Sequence, residues 1–398
     1  MPEDIHIRVR FIQQNESIRS TSFNNIITST RAKHAFQTSL SSNKTMAPAA
    51  LLSPEPPVVI GPATKKATRP SSALPQSLID GARIAKKDTF NAAKHLNFQA
   101  PKRIYTMEEI GLEGQGISPH AGSEPFSLFN EEAIKQMRAE IFSDEVLADC
   151  QYSSTFNKHM VRGMGPAYVL LILGMLVAFT NFTSRAPFTY AAWNDPEVLR
   201  RISEVAGIDL IPSIDFEIAN INISVNSNPQ PVPEQQVPSN EELPAVAWHY
   251  DSFPFVCVTM LSDCTGMVGG ETALRTPSGD IMKVRGPAMG RYIEHQALKA
   301  LGGRERISMV TCFRPKDPMV RDETVLVGVR GISDLSELYT QYTEYRLELL
   351  EERLRLKQKE ERRRVVAKRP FDIADIRQFL KEQKAFLESM LEEIIEVD

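Results

Sequence analysis

The hydrophobic period of this chain changes twice, and the order of those changes limits the fold more than any single motif. Over 130–150 and again over 195–207 apolar residues recur at helical spacing. Between 216 and 313 they alternate, as in strands with one buried face. From Asp334 onward the spacing is helical again. Helices followed by a block of strands predict an α+β fold rather than repeated βαβ units. The strands are expected to close into a sandwich or barrel-like core. A chain of 398 residues has room for two or three domains at most and for a sizeable core.

Local signals place the elements. Asn130, with Glu131 and Glu132 behind it, starts a helix expected to run to Cys150. Asp195-Pro196 opens another, which Gly207 closes. Residues 216–225 alternate with one slip of phase, and 226–244 form a polar, proline-rich loop. Residues 246–260 read as strand, break, strand, and 265–272 as a hairpin turn region. Short strands are expected at 280–284 and 306–313. Leu335, Leu338, Tyr342, Tyr345, Leu347, Leu350, Leu354 and Leu356 give a roughly helical stripe, and a second helix is expected over 373–395.

The first 95 residues are rich in Ser, Thr, Pro and Ala and carry little period, so they are expected to be mostly disordered. Order is expected from near Pro101. Met1-Pro2-Glu3-Asp4 has acids where a signal peptide needs a basic start. Residues 17–49 lack acids and faintly resemble a transit peptide, with an unstructured tail as the favoured reading. Residues 167–179 are uncharged and apolar, but a membrane span needs about 20 such residues. A buried element is the preferred reading and a membrane anchor the weak alternative. Removing 168–185 joins Gly165-Pro166-Ala167 to Ala186-Pro187-Phe188 without disturbing the flanking pattern. The segment therefore reads as an insert, with a translated intron as one source that the transcript would test. The domains expected are a disordered region over 1–95, a sheet domain over 96–333 and a helical extension over 334–398.

Forty-six Lys and Arg against fifty Asp and Glu give a net charge of −4. That removes a general basic footprint, so neither nucleic acid nor an anionic membrane is expected as a partner. The run at 355–364, RLKQKEERRR, has interleaved acids and no aromatics, and reads as a solvated helix face. The four cysteines, Cys150, Cys257, Cys264 and Cys312, form no C-x-x-C pair. They supply neither a disulfide framework nor a cysteine zinc site, so a reducing compartment, cytoplasm or nucleus, is expected.

The chemistry concentrates in one order of motifs. His249-Tyr250-Asp251 is an H-x-D triplet, weak on its own. On a strand, positions i and i+2 share a face, so His249 and Asp251 can grip one ion together. His295 follows 44 positions after Asp251. Two imidazoles and a carboxylate on one face match the facial triad that holds non-haem Fe(II) and leaves positions open. Eleven positions later, Arg306 and Ser308 again share a strand face. A guanidinium fork with a hydroxyl beside it suits a carboxylate. The bland alternatives are a polar pair for His249 and Asp251, a surface residue for His295 and a surface ion pair for Arg306. Gly269-Gly270 are turn formers first.

H-x-D, Gly269-Gly270-Glu271-Thr272, His295 and R-x-S in this order resemble the Fe(II)- and 2-oxoglutarate-dependent oxygenases, and most nearly a fungal group of that superfamily. RIYTMEEIGLEGQGISP (103–119), the run from Trp248 to Asp263, GGRERISMVTCFRPKDP (302–318) and LSELYTQYTEYRLELLEERLR (335–355) carry the likeness, which covers roughly 101–398. The resemblance implies a double-stranded β-helix, or jelly-roll, core with N-terminal helices and a C-terminal helical extension. It implies that His249, Asp251 and His295 hold Fe(II), and that Arg306 and Ser308 hold the far carboxylate of 2-oxoglutarate. It further implies O₂ as co-substrate and hydroxylation of a substrate C–H coupled to decarboxylation of 2-oxoglutarate. Jumonji-type demethylases generally use a lysine where R-x-S stands, which argues against that branch.

Two departures from the family pattern stand out. One is the apolar insert. The other is the stretch before His295, where Gly286-Pro287-Ala288-Met289-Gly290 replaces the expected apolar strand, which puts the reach of His295 in question. The alternative function is a catalytically impaired jelly-roll protein that acts as a scaffold through its C-terminal helices. Those helices are also the candidate surface for a homodimer.

Overall fold

The computed structural model describes residues 55–61, 69–154, 157–165, 168–173, 176–181, 184–226, 244–264, 267–284 and 289–397. The expected N-terminal tail up to residue 54, nearly all of the proline-rich loop, and residues 265–266 of the turn region lie outside the described residues. Ordered elements start earlier than Pro101. A helix spans Gln76–Arg83, and a helical turn, Ala92–His95, is capped by the Asn91 side chain. Leu74 and Ala82 join the main core, and the His95 ring packs edge-on against Phe188 at 4.9 Å. Such short segments gain their order from what they pack on, so their own pattern is too brief to show it.

The helix expected over 130–150 is two helices, Glu131–Ile141 and Asp144–Asp149. Asn130 caps the first. Ser143 starts the second by accepting from the Val146 N–H, with Asp144 and Glu145 in the favourable first turn. Pro196–Ala206 forms as expected. Asp195 accepts from the N–H groups of Glu197 and Val198, and Gly207 closes the helix at φ 73°. The slip of phase in 216–225 is also a physical feature. A 3₁₀ turn at Asp215–Glu217 precedes the strand Asn220–Val225, and Ala219 between them sits at φ 61°.

Two antiparallel sheets carry the rest. The larger runs Phe255–Met260, Glu305–Pro315, Asn220–Val225, His159–Val161, Gln151–Tyr152, with Leu210–Pro212 also paired to Glu305–Pro315. The smaller runs Ile281–Val284, Thr272–Arg275, His295–Leu298, Pro244–His249. One strand explains how the larger sheet is covered. Along Glu305–Pro315, Ile307, Met309 and Phe313 enter a core shared with Trp193, Val198 and Phe142 of the N-terminal helices and Leu274 and Val284 of the smaller sheet. Cys312 points the other way, into a second cluster with Phe216, Phe253, Leu338, Tyr342 and Tyr345. Alternate residues on one strand therefore serve two different layers.

The C-terminal segment folds as two helices, Leu335–Val366 and Ile373–Glu393. They belong to the same compact unit as the sheets. Gln341 accepts from the Phe216 N–H, and Glu393 accepts from the Leu326 N–H. Among the described residues, the strands Tyr168–Leu173 and Leu176–Asn181 pair with each other and with no strand of either main sheet. The chain is thus α+β, with antiparallel sheets and a helical C terminus. None of the described helices is long and apolar enough to cross a membrane.

Candidate metal centre

The smaller sheet assembles the H-x-D histidine and the distant histidine by register. His249 ends the strand Pro244–His249, His295 opens the strand His295–Leu298, and the two residues are direct partners across the antiparallel pair. Their ring centroids lie 4.3 Å apart. Asp251 follows just past the strand end. Its Oδ1 lies 3.5 Å from Nε2 of His249 and 3.5 Å from Nε2 of His295. The ligand atoms of the three residues all fall within 4.8 Å of one another. Two donors bound about 2.1 Å from one ion at right angles lie about 3 Å apart, so this spacing fits a shared cation.

The imidazoles are oriented by their second nitrogens. Nδ1 of His249 donates to the Ala247 carbonyl at 2.7 Å, and Nδ1 of His295 donates to the Ile293 carbonyl at 2.9 Å. A carbonyl only accepts, so each Nδ1 carries a proton. Loss of the other proton, from Nε2, leaves a neutral ring that presents the Nε2 lone pair to the centre, as a metal ligand must. With that proton kept, the ring is a cation facing Asp251. Burial by itself raises the Asp251 carboxyl, but the charge of His295 and the hydrogen bonds from His249 and His295 outweigh it. Asp251 therefore titrates well below the usual carboxylate range. Burial lowers His295, and the attraction of Asp251 overcomes that, so His295 titrates above its ordinary value.

Among the described residues no strand stands between Val284 and His295, and residues 285–288 lie outside them. His295 nevertheless reaches Asp251. A turn does the work: the Met289 carbonyl accepts from the Tyr292 N–H, and the Gly290 carbonyl accepts from the Asp251 N–H at 2.8 Å. Gly290 is the residue that motif reading missed. A Cβ there would lie 1.8 Å from Asp251 Oδ2 and 2.7 Å from His295 Cε1. The turn can only close on the carboxylate as glycine. The surplus of glycine in 286–290 was the available signal.

Behind this turn lies a buried polar layer. Arg291 donates to the Glu323 carbonyl at 3.0 Å and to the Pro57 carbonyl at hydrogen-bond distance. The Tyr292 hydroxyl donates to the Glu323 carboxylate, and Arg321 lies 3.4 Å from it. Burial pushes the Glu323 carboxyl up to about 7, against the pull of Tyr292 and the two arginines.

Arg306 and Ser308 lie on the larger sheet, both on the Glu305–Pro315 strand. Ser308 is buried and is the register partner of Asn222 on one side and Met260 on the other. Arg306 is half-buried, and no carboxylate pairs with it among the described residues. Burial pushes its guanidinium down from the usual arginine value. A Cβ on Gly270, which sits at φ 80°, would lie 3.6 Å from Arg306 Nε.

A second carboxylate group, Glu360, Glu361 and Asp375, also converges. Lys357 already sits among its oxygens, 2.9 Å from Glu360, so this group is filled by the chain's own ammonium.

No protein-family model matches the sequence, and a search of curated proteins gives no match. Solved structures that match include an oxidoreductase of the 2OG-Fe(II) oxygenase family from Burkholderia pseudomallei. It is 13% identical, with a TM-score of 0.26, over 39% of this chain and 67% of that one. IDO from Bacillus thuringiensis matches at 16% identity and a TM-score of 0.21, over 40% of this chain and 78% of that one. Likenesses at these scores carry no argument, and the site is read from its own geometry.

Proposed function

We propose that the protein is an Fe(II)- and 2-oxoglutarate-dependent oxygenase with a double-stranded β-helix core, hydroxylating a substrate that the site itself does not name. The observation that carries this reading is the convergence of His249, Asp251 and His295, with both Nδ1 atoms spent on carbonyls. Two neutral imidazoles and one carboxylate suit a divalent first-row ion and leave other positions open. The fit is tight as well as chemically apt, since only glycine at position 290 leaves room for the carboxylate. A bound Fe(II) would supply O₂ activation and a point of attachment for the 2-oxo acid.

The rest of the reading concerns the chain's own side chains. His249, Asp251 and His295 hold the ion on one side. Ala247 and Ile293 fix the ring tautomers through their carbonyls. Arg306, half-buried and without a carboxylate partner among the described residues, is assigned the far carboxylate of 2-oxoglutarate, with Ser308 beside it as a hydroxyl donor. Partial burial strengthens that ion pair relative to one in open water.

The test is anaerobic addition of Fe(II) and 2-oxoglutarate to the purified chain, watched in the visible range. A metal-to-ligand charge-transfer band is expected that His249→Ala abolishes and Arg306→Ala weakens at low 2-oxoglutarate. A folded chain that gives no band, or an equal band in His249→Ala, overturns the reading.

A further inference from the structure

We infer that the outer face of the last helix is the seam of a two-fold homodimer, in which the helix lies antiparallel against its own copy. The helix Ile373–Glu393 is apolar on two sides. Phe379, Phe386 and Met390 face the body of the protein and are buried. On the other side Ile373, Leu380, Leu387 and Leu391 are 66%, 56%, 43% and 76% exposed. The first three stand seven residues apart, which is the spacing of a helix–helix seam. Solvated helices normally keep one side polar, so a second apolar row calls for a partner.

The charges beside this row say which partner. Arg377 and Lys381 lie in the first half of the helix, together with Glu382 and with Asp375, which is already paired to Lys357. Lys384 lies just past its middle, and Glu388, Glu392 and Glu396 lie in or just past its second half. Lys384 and Glu388 pair within the helix at 3.2 Å. Arg377, Lys381, Glu392 and Glu396 make no ion pair among the described residues. A polar gradient of this kind is self-complementary in one orientation only. An antiparallel copy sets Arg377 and Lys381 against the acidic end of its partner, while a parallel copy sets each of them beside its own like charge. Position numbers sharpen the match. Arg377 with Glu396 and Lys381 with Glu392 share one midpoint, beside Leu387. A two-fold axis there lets Leu387 meet its own copy, sets Leu380 against Ile394 of the second copy, and pairs all four unpartnered charges. The 21-residue helix offers a seam about 30 Å long. That is at the small end of specific interfaces, so dissociation in the micromolar range is expected.

Sedimentation equilibrium of the full chain reads this directly. The expected result is a reversible step from one to two copies, lost in Leu380→Glu/Leu387→Glu with the circular dichroism melt unchanged. Lys381→Glu/Lys384→Glu and Glu388→Lys/Glu392→Lys are each expected to weaken self-association about tenfold or more. Mixing the two variants is expected to restore a dimer. Three results overturn the inference: a wild-type monomer at all concentrations, a dimer that survives the leucine substitutions, or a mixture that stays monomeric. A monomer in which Lys381 or Lys384 crosslinks to residues 1–54 also overturns it, because the chain's own segment then covers the face.

Discussion

Two groups of opposite charges in this molecule, one almost fully buried and one half-buried, differ in closure. Beneath the C-terminal helices, Arg346 and Asp322 are both almost fully buried and meet at 2.8 Å. Arg346 also donates to the Phe386 carbonyl and lies 3.7 Å from that ring centroid, and Asp322 accepts from the Tyr345 hydroxyl. The pair is held on several sides. In the smaller sheet, Asp251 and its two histidines stand 3.5 Å apart, too long for strong hydrogen bonds, and all three aim at one point. A closed pair holds helices to a sheet, whereas a convergent, loosely spaced set leaves room for an ion. Closure, more than burial or charge, separates a structural site from a ligand site here.

The largest expected effect tests the closed group. Arg346→Met leaves Asp322 buried without its cation and is expected to cost about 3–5 kcal/mol in urea melts, with m unchanged. The double variant Arg346→Met/Asp322→Leu is expected to recover most of that. A cost below about 1 kcal/mol would mean that the pair is not closed, and the contrast with the triad would fail.

Next in size is the polar layer behind the metal turn. Burial holds the Glu323 carboxyl at about 7, so the folded state keeps a proton that the unfolded chain releases near the ordinary carboxylate value. For an acid raised in this way, stability is fully present at low pH and declines as pH rises through that interval. The loss is expected to total roughly 3 kcal/mol by pH 8. Melting midpoints measured from pH 4.5 to 8 should show this slope, and Glu323→Gln should flatten it. A slope of opposite sign, or one unchanged in the variant, would remove Glu323 as its source.

The smallest effect is aimed at the convergent group alone. Gly290→Ala pushes a Cβ against Asp251 and His295, and is expected to weaken Fe(II) binding about 10–100-fold, as other changes just outside a ligand set do. Titration of the ion, followed by the charge-transfer band, measures it. Unaltered affinity would show that the turn yields easily and that the triad is less fixed than its contacts imply.

Much of this was legible in the chain, and the failures have physical causes. Capping chemistry is local, so Asp195, Gly207 and Asn130 marked their helix ends correctly. Ser143 carried the same chemistry inside an unbroken apolar stripe, and the stripe hid the break between the two helices there. His249, Asp251 and His295 were marked as a set by motif order. The doubt over His295 arose because a strand was expected to deliver it, and a glycine turn does so instead. The burial of Arg346, Arg353 and Lys357 was not legible at all. In the sequence they look like the solvated residues around them.

The sequence by itself determined the α+β class, the order of helices and strands, and the residue types able to hold an ion, because these depend on period and side-chain chemistry within a few positions. Only the tertiary structure decided that His249 and His295 are register partners, that Gly290 must lack a side chain, and that the C-terminal helices close over the sheet around a buried ion pair. Those facts depend on contacts between residues far apart in the chain, where no local pattern records the distance.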